Sequence, residues 1–154
     1  MEQDSISVKG FFRVNIVDPD GTIKGDSGWL QNQVVNLGFL DYLVKSLGSI
    51  AGSKYLTHIA LGTGGIVASN GTTIAGEVAK RTTFTAATSS DSKTLRMTAT
   101  FSSADSFLAG ASNLSNIAAV NTSSGGTIFA GNTYASSSCA TNQNVNVTYD
   151  IVFS

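Results

Sequence analysis

One histidine (His58), one cysteine (Cys139) and ten Asp or Glu residues carry most of the acid–base, nucleophilic and metal-binding chemistry open to this chain. A lone histidine excludes a two-histidine metal site within one chain. A Ser-His-Asp relay is formally available, but no Gly-x-Ser-x-Gly elbow is present to hold a nucleophile. His58 opens the apolar run Ile59-Ala60-Leu61, a context that reads as a structural, solvent-facing or hydrogen-bonded histidine. Asp18, Asp20 and Asp26 flank one turn and could meet around Ca²⁺. Their spacing lacks the terminal bidentate Glu of an EF-hand loop, so a solvated turn is the better reading. Gly62-Thr63-Gly64-Gly65 has the look of a phosphate cradle without its Gly-Lys-Ser/Thr ending or a helix to follow, which reads as a turn. Glu77 and Arg81 stand four apart as an ion pair worth little if exposed. Cys139 follows a serine run with no metal-ligand neighbour and reads as an inert buried thiol; alone, it can form no intrachain disulfide. The sequence therefore predicts no catalytic, cofactor or metal residues and a protein that is not an enzyme.

The elements that would position these residues are strands. Val145, Val147, Tyr149, Ile151 and Phe153 alternate with Asn146, Thr148 and Asp150. A period of two sets one apolar face against a core. Val8, Gly10, Phe12, Val14 and Ile16 repeat the pattern, followed by the tight turn Asp18-Pro19-Asp20-Gly21. Residues 22–24 begin a return strand, and residues 29–35 form another. Residues 58–61 are a short strand before a long polar loop. Residues 80–88 and 93–102 form a hairpin around a turn at 89–92, and residues 115–121 and 127–134 form a second pair. The one helix is expected near residues 37–47. Leu40, Leu43, Val44 and Leu47 fall at helical spacing, with Asn36 as the cap and Gly48 at the left-handed end. A helix of about 12 residues is marginal alone, so its stripe must lie on the sheet or on another subunit.

About eight short strands with regular turn signals predict an all-β fold, an antiparallel β-sandwich of jelly-roll type with one short amphipathic α-helix. Length predicts one domain, residues 8–154, behind a flexible polar arm, residues 1–7. Only 12% of residues are charged, about half the usual share, while Ser, Thr, Asn and Gly are abundant. Two accounts fit: a surface packed against copies or partners, or an ordinary β domain whose solvent face uses Thr and Ser. The net charge of -1 gives no electrostatic case for nucleic acid or an anionic membrane. The early aromatic residues lack the interleaved basic groups of a single-strand platform. No apolar run approaches the roughly 20 residues of a bilayer span, and residues 1–7 do not read as a secretory signal.

The order of segments carries a resemblance. Gln33-Val34-Val35-Asn36-Leu37-Gly38 precedes a short Leu-rich helix. Tyr55-Leu56-Thr57-His58-Ile59-Ala60-Leu61-Gly62-Thr63-Gly64 is a strand ending in Gly-Thr-Gly. Then come Glu77-Val78-Ala79-Lys80-Arg81, the hairpin arm 95–101, Gly125-Gly126-Thr127-Ile128-Phe129-Ala130 and a final alternating strand. Over residues 34–154 this resembles tailed-bacteriophage virion proteins, which include capsid decoration (cement) proteins and tail or tail-fibre-associated proteins. The resemblance implies a capsid decoration protein, made in the host cytoplasm and located in the virion. It would stabilise the head by bridging capsid subunits. Its partners would be the major capsid protein or other virion proteins, and its form a homo-oligomer, expected as a trimer. The alternative is a tail-fibre protein binding a receptor or glycan, with Tyr55 and Tyr134 as its aromatic candidates. In the decoration reading, the contacts expected are the arm through Val8 and the loops bearing Gly62, Thr63, Gly64, Gly65, Asn70, Gly71, Gly125 and Gly126.

Overall fold

Strand β1 (Val8–Val17) buries Gly10, Phe12, Val14 and Ile16 on one face, as its alternation requires. The computed structural model describes residues 5–68, 70–88 and 93–154. After the turn at Gly21 (φ 90°) come β2 (Ile23–Asp26) and β3 (Leu30–Val34). Helix α1 is a π-wound segment, Gly38–Val44, running into one α turn, Lys45–Leu47. Then follow β4 (His58–Gly62), β5 (Thr82–Thr88), β6 (Thr94–Phe101), β7 (Ser112–Val120), β8 (Ile128–Cys139) and β9 (Asn144–Phe153).

The sheet order is β2-β1-β3-β8-β7-β4-β5-β6-β9, and β9 pairs again with β1. Eight strands thus close into an antiparallel barrel, β1-β3-β8-β7-β4-β5-β6-β9. β2 is the extra strand, on Asn15–Val17 of the same β1 edge that β3 uses at Gly10–Phe12. The β-sandwich expectation is overturned by β9. It pairs with β1 from Val8↔Phe153 to Val17↔Asn144 and with β6 from Thr94↔Val152 to Phe101↔Val145. Alternation specifies which face is inward, a property sandwiches and barrels share. It does not specify which edges meet.

The barrel is filled by layers of side chains. Phe12, Ile16, Ile59, Leu61, Met97, Phe101, Leu114, Ile117, Val145 and Tyr149 are all essentially inaccessible. Phe12 stacks on Tyr149 at 6.1 Å and meets Tyr134 edge-on at 5.9 Å. A second cluster lies outside the barrel wall. Ala60, Ala118, Val120 and Ile128 are covered by Val67 and Ile74 from the loop after β4. That loop explains why β4 and the end of β7 are continuous apolar runs: both faces are buried. Covering Val67 and Ile74 contributes about 1.5–3 kcal/mol each.

The helix departs from expectation. Gly38, Asp41 and Tyr42 are its buried residues. Leu40 and Val44 are about half exposed, and Leu47 is 92% exposed. Two contacts turn the wheel. A Cβ on Gly38 would stand 2.2 Å from the Phe129 carbonyl oxygen, so only glycine allows this approach to β8. Tyr42 packs edge-on against Phe129 at 5.2 Å and donates its hydroxyl to the Thr127 carbonyl. The i→i+5 winding, as in Lys45 N–H to Leu40 carbonyl, then carries the predicted stripe outward. Leu37, already helical, precedes the π-wound segment without a side-chain cap. Ser49 (φ 51°), not Gly48 (φ −99°), takes the left-handed position.

Of the predicted arm, residues 1–4 lie outside the described residues, as does the turn at 89–92. Ser5, Ile6 and Ser7 are exposed, and Ser7 exchanges both backbone hydrogen bonds with Ser154 at 2.6 and 2.9 Å.

One polar pair sits within the barrel. Asn32, buried on β3, donates to the hydroxyl of Tyr149 above Gly10. Burial pushes the Tyr149 phenol far above its ordinary range, so it stays protonated. A Cβ on Gly10 would fall 1.9 Å from the Asn32 amide oxygen. Gly10→Ala is therefore expected to cost about 2 kcal/mol of stability by overpacking. Gly10→Ala with Asn32→Ala should show a favourable coupling of at least ~1 kcal/mol in denaturant unfolding. Strict additivity would show that the two side chains do not collide.

Candidate functional site

The long loops after β4 and β7 converge on Arg81. Its side chain is 2% exposed. Nε donates to Glu77 Oε1 at 2.5 Å and Nη2 to Glu77 Oε2 at 3.3 Å. The remaining donors reach the carbonyls of Thr122 (3.0 Å), Gly125 (2.7 Å) and Thr72 (3.0 Å). The i,i+4 pair read from the sequence is not a helical surface pair. It is a buried fork joining three segments, and its hydrogen bonds satisfy carbonyls that loops would otherwise leave open.

The glycine loops belong to this clasp. Gly62 bridges to Glu77, and a Cβ there would meet Asn116 Oδ1 at 2.4 Å; one on Gly64 would meet Ala75 at 2.3 Å. Ser115 Oγ donates to the Gly64 carbonyl at 3.0 Å. Asn116 Nδ2 donates to the carbonyls of Gly65 (3.1 Å) and Ala75 (3.0 Å). Thr63 N–H donates to the Gly76 carbonyl at 3.1 Å, and the Gly71 carbonyl accepts from Ile128 N–H at 3.3 Å. Gly125 (φ 60°) and Gly126 (φ 78°) make the left-handed turn beneath Arg81. The Gly-Thr-Gly run is thus needed because backbones pass closely here. The Thr63 N–H and the Gly64 and Gly65 carbonyls bond within the chain. Thr63, Gly65, Asn70 and Gly125 are the exposed members of the predicted contact set, Gly62 is buried, and Gly64, Gly71 and Gly126 are half-buried. Val8 stands elsewhere, opposite Phe153 at the end of the β1–β9 ladder.

Among the described residues, the groups with catalytic potential singled out from the sequence have separate partners. His58 sits between Thr83 of β5 and Val120 of β7, with Nδ1 2.7 Å from Thr57 Oγ1. Burial first, and the Arg81 charge second, lower its pKa. Asp26 is held in a fork by Arg13 at 2.9 and 2.5 Å and accepts Gly28 N–H at 2.8 Å; the Arg13 hydrogen bonds hold its pKa down at about 2. Asp18 accepts from Gln143 at 2.6 Å, and Asp20 caps Thr22 N–H at 2.8 Å. The three carboxylates are engaged by separate neighbours, and among the described residues no group of three His, Cys, Asp or Glu could hold a metal ion. Cys139 is fully buried and its thiol is pushed up to about 11. Tyr134 is buried within the core cluster.

What the structure presents outward is apolar. Phe39, Leu40, Val44 and Leu47 on α1, then Ile50 and Tyr55 just after it, are between 43% and 92% exposed. Leu43 continues this face into a cleft of about 300 Å³ that Tyr42, Leu56, Phe84, Leu95, Phe129, Ile151 and Phe153 line. Periodicity revealed the stripe but assigned no direction to it. Neither a family model, nor a curated protein, nor a solved structure matches the chain.

Two outcomes test this geometry. Arg81→Ala removes a buried guanidinium and leaves a half-buried carboxylate and three loop carbonyls without their donor, so it should cost about 2 kcal/mol. Hydrogen exchange should rise at Ile128 and Glu77, whose amides hold the loops. An unchanged melting temperature would show that the fork is idle. His58 binds its proton more weakly folded than unfolded. Its contribution is therefore full above the ordinary imidazole pKa near 6.5 and lost as pH falls through the lower folded value. His58→Gln should flatten the stability profile over that window, and the single imidazole resonance of the native protein should titrate below 6.5.

Proposed function

We propose that this chain is a non-enzymatic structural protein of a tailed-phage virion, a capsid decoration protein that stabilises the head by bridging capsid subunits. The observation that carries the reading is the outward-turned apolar face of α1. A contiguous apolar surface larger than a few hundred Å² marks an interaction site, and here it occurs on a chain in which Asp18, Asp20, Asp26, Asp41, Glu77 and Asp150 are bonded within the fold, His58 meets Thr57 and Cys139 is buried. The low charge and the segment order shared with phage virion proteins support the same reading. The mechanism is mechanical. Many copies bury this face against neighbouring subunits, and each Å² removed from water contributes about 25 cal/mol before the cost of ordering. The helix face is added to the contact surface, beside the loop residues Thr63, Gly65, Asn70 and Gly125 that remain exposed. The receptor-binding alternative loses one of its two aromatic candidates, since Tyr134 is buried, and Tyr55 lies within the apolar face.

The test is co-sedimentation of the purified protein with emptied capsids of its source virus. Saturable binding at fixed stoichiometry is expected. Leu47→Asp, at a position too exposed to matter for folding, should weaken it by about tenfold or more. Failure to bind shells, with attachment instead to tails or cell-surface glycans, would overturn the decoration reading.

A further inference from the structure

The barrel has an open seam. Of the seven residues of β5, only Thr82 and Thr83 pair with β4. From Phe84 to Thr88 the strand pairs with β6 alone, so its other edge carries no ladder among the described residues. Directly opposed residues share a face. Phe84 opposes Ala99, Ala86 opposes Met97 and Thr88 opposes Leu95, so all three point inward. Yet Ala86 and Thr88 are exposed and Phe84 is half-buried, while Met97 is fully buried. Among the described residues no interior layer covers them, and the apolar cleft described above lies there, between β5 and α1.

We propose that a second copy of this chain closes the seam, its β5 pairing antiparallel with β5 of the first about a two-fold axis. Three observations select this occupant. The cleft lies alongside the unpaired edge of β5, whose N–H and C=O groups another strand satisfies and a hydrocarbon ligand does not. The edge sequence Phe84-Thr85-Ala86-Ala87-Thr88 has no charge and no proline, the devices that keep edge strands from pairing, so it meets its own copy without repulsion. Lys54 is the one charged residue lining the cleft, and Lys45 beside it is neutralised by Asp41 at 2.6 Å. The area also suits a dimer. With full side-chain areas of about 150–250 Å², the exposed residues Phe39, Leu40, Val44, Leu47, Ile50 and Tyr55 leave roughly 700 Å² open per copy. A standard interface buries about 800 Å² per partner. An isologous contact sets each patch against the same patch of its mate, so cleft and helix face are covered together. Edge pairing is two-fold, in place of the trimer expected from the sequence.

This inference rests on the reading that the α1 face is an assembly surface, but not on the virion. Sedimentation velocity of the full chain over a concentration series tests it, with Ala86→Lys, Leu47→Asp and, as a control distant in sequence, Ile66→Asp at another exposed position. The wild type should be a dimer. Ala86→Lys and Leu47→Asp should each weaken it by about a hundredfold with unchanged circular dichroism, and Ile66→Asp should leave it intact. Amides of Thr85–Thr88 should exchange faster in the two weakened variants than in the wild type. A wild type that stays monomeric overturns the proposal, and one that also binds a fluorescent fatty acid assigns the cleft to a small apolar ligand. A dimer indifferent to Ala86→Lys overturns the edge pairing. A monomer that still saturates shells sinks only the dimer, and a dimer that ignores shells sinks only the decoration reading.

Discussion

Every other feature of this molecule depends on the pairing of β9 with both β1 and β6. One strand supplies backbone partners along its whole length to the strand nearest the N-terminus and to the second arm of a hairpin. Closure turns two would-be edges into a continuous ladder and fixes the inward layer in which Val145, Val147, Tyr149 and Ile151 meet Phe12, Met97 and Phe101. A slip of one residue would turn that layer to solvent, so register and core specify each other. Because β1 and β9 lie far apart in sequence, much of the loop-closure entropy must be met before the barrel core forms. Folding should accordingly be slow for a chain of this size.

The polar groups inside this frame have local work. Asn32 and Tyr149 occupy the space that glycine leaves at position 10. Arg81, paired with Glu77, ties together two loops, and the glycines at 62 and 64 allow the close backbone approaches within the first of them. A buried fork of this kind is not a large source of net stability, since desolvation offsets the attraction. Its value lies in fixing one loop arrangement out of many. The second apolar cluster under Val67 and Ile74 acts in the same direction, so a loop with little secondary structure is nonetheless pinned to the barrel wall.

Against that ordered background the α1 face and the seam beside β5 stand out. Closed barrels remove edges, and this one is joined by only two residue pairs at two places, between β3 and β8 and between β4 and β5, the second of which has the apolar cleft beside it. The same region holds inward side chains without cover and a helix with its leucines in water. An open backbone edge, an apolar cleft and an exposed apolar stripe coincide here, and in the proposed dimer one partner strand and its neighbouring surface would satisfy all three at once.

The sequence by itself located most of the strands, although β8 runs on past the predicted end at residue 134, through the serine run to Cys139, and β7 begins at Ser112, ahead of the predicted start at residue 115. The alternation in residues 8–16 and 145–153, the Asp-Pro-Asp-Gly turn and the hairpin arm from Leu95 to Phe101 all have local causes, in side-chain period and backbone preference. It also placed His58 at the head of a short apolar strand and read Cys139 as a buried thiol, and both are found there. Tertiary structure decided the rest. Whether alternating strands form a sandwich or a barrel depends on which edges meet, and no side-chain period encodes that. The helix stripe was legible, but its direction was set by Gly38 against the Phe129 carbonyl and Tyr42 on Thr127, contacts about 90 residues apart. Arg81 and Glu77 were visible as a pair four residues apart. That they would be buried, and would gather Thr72, Thr122 and Gly125, followed only from the packing of two loops against one wall.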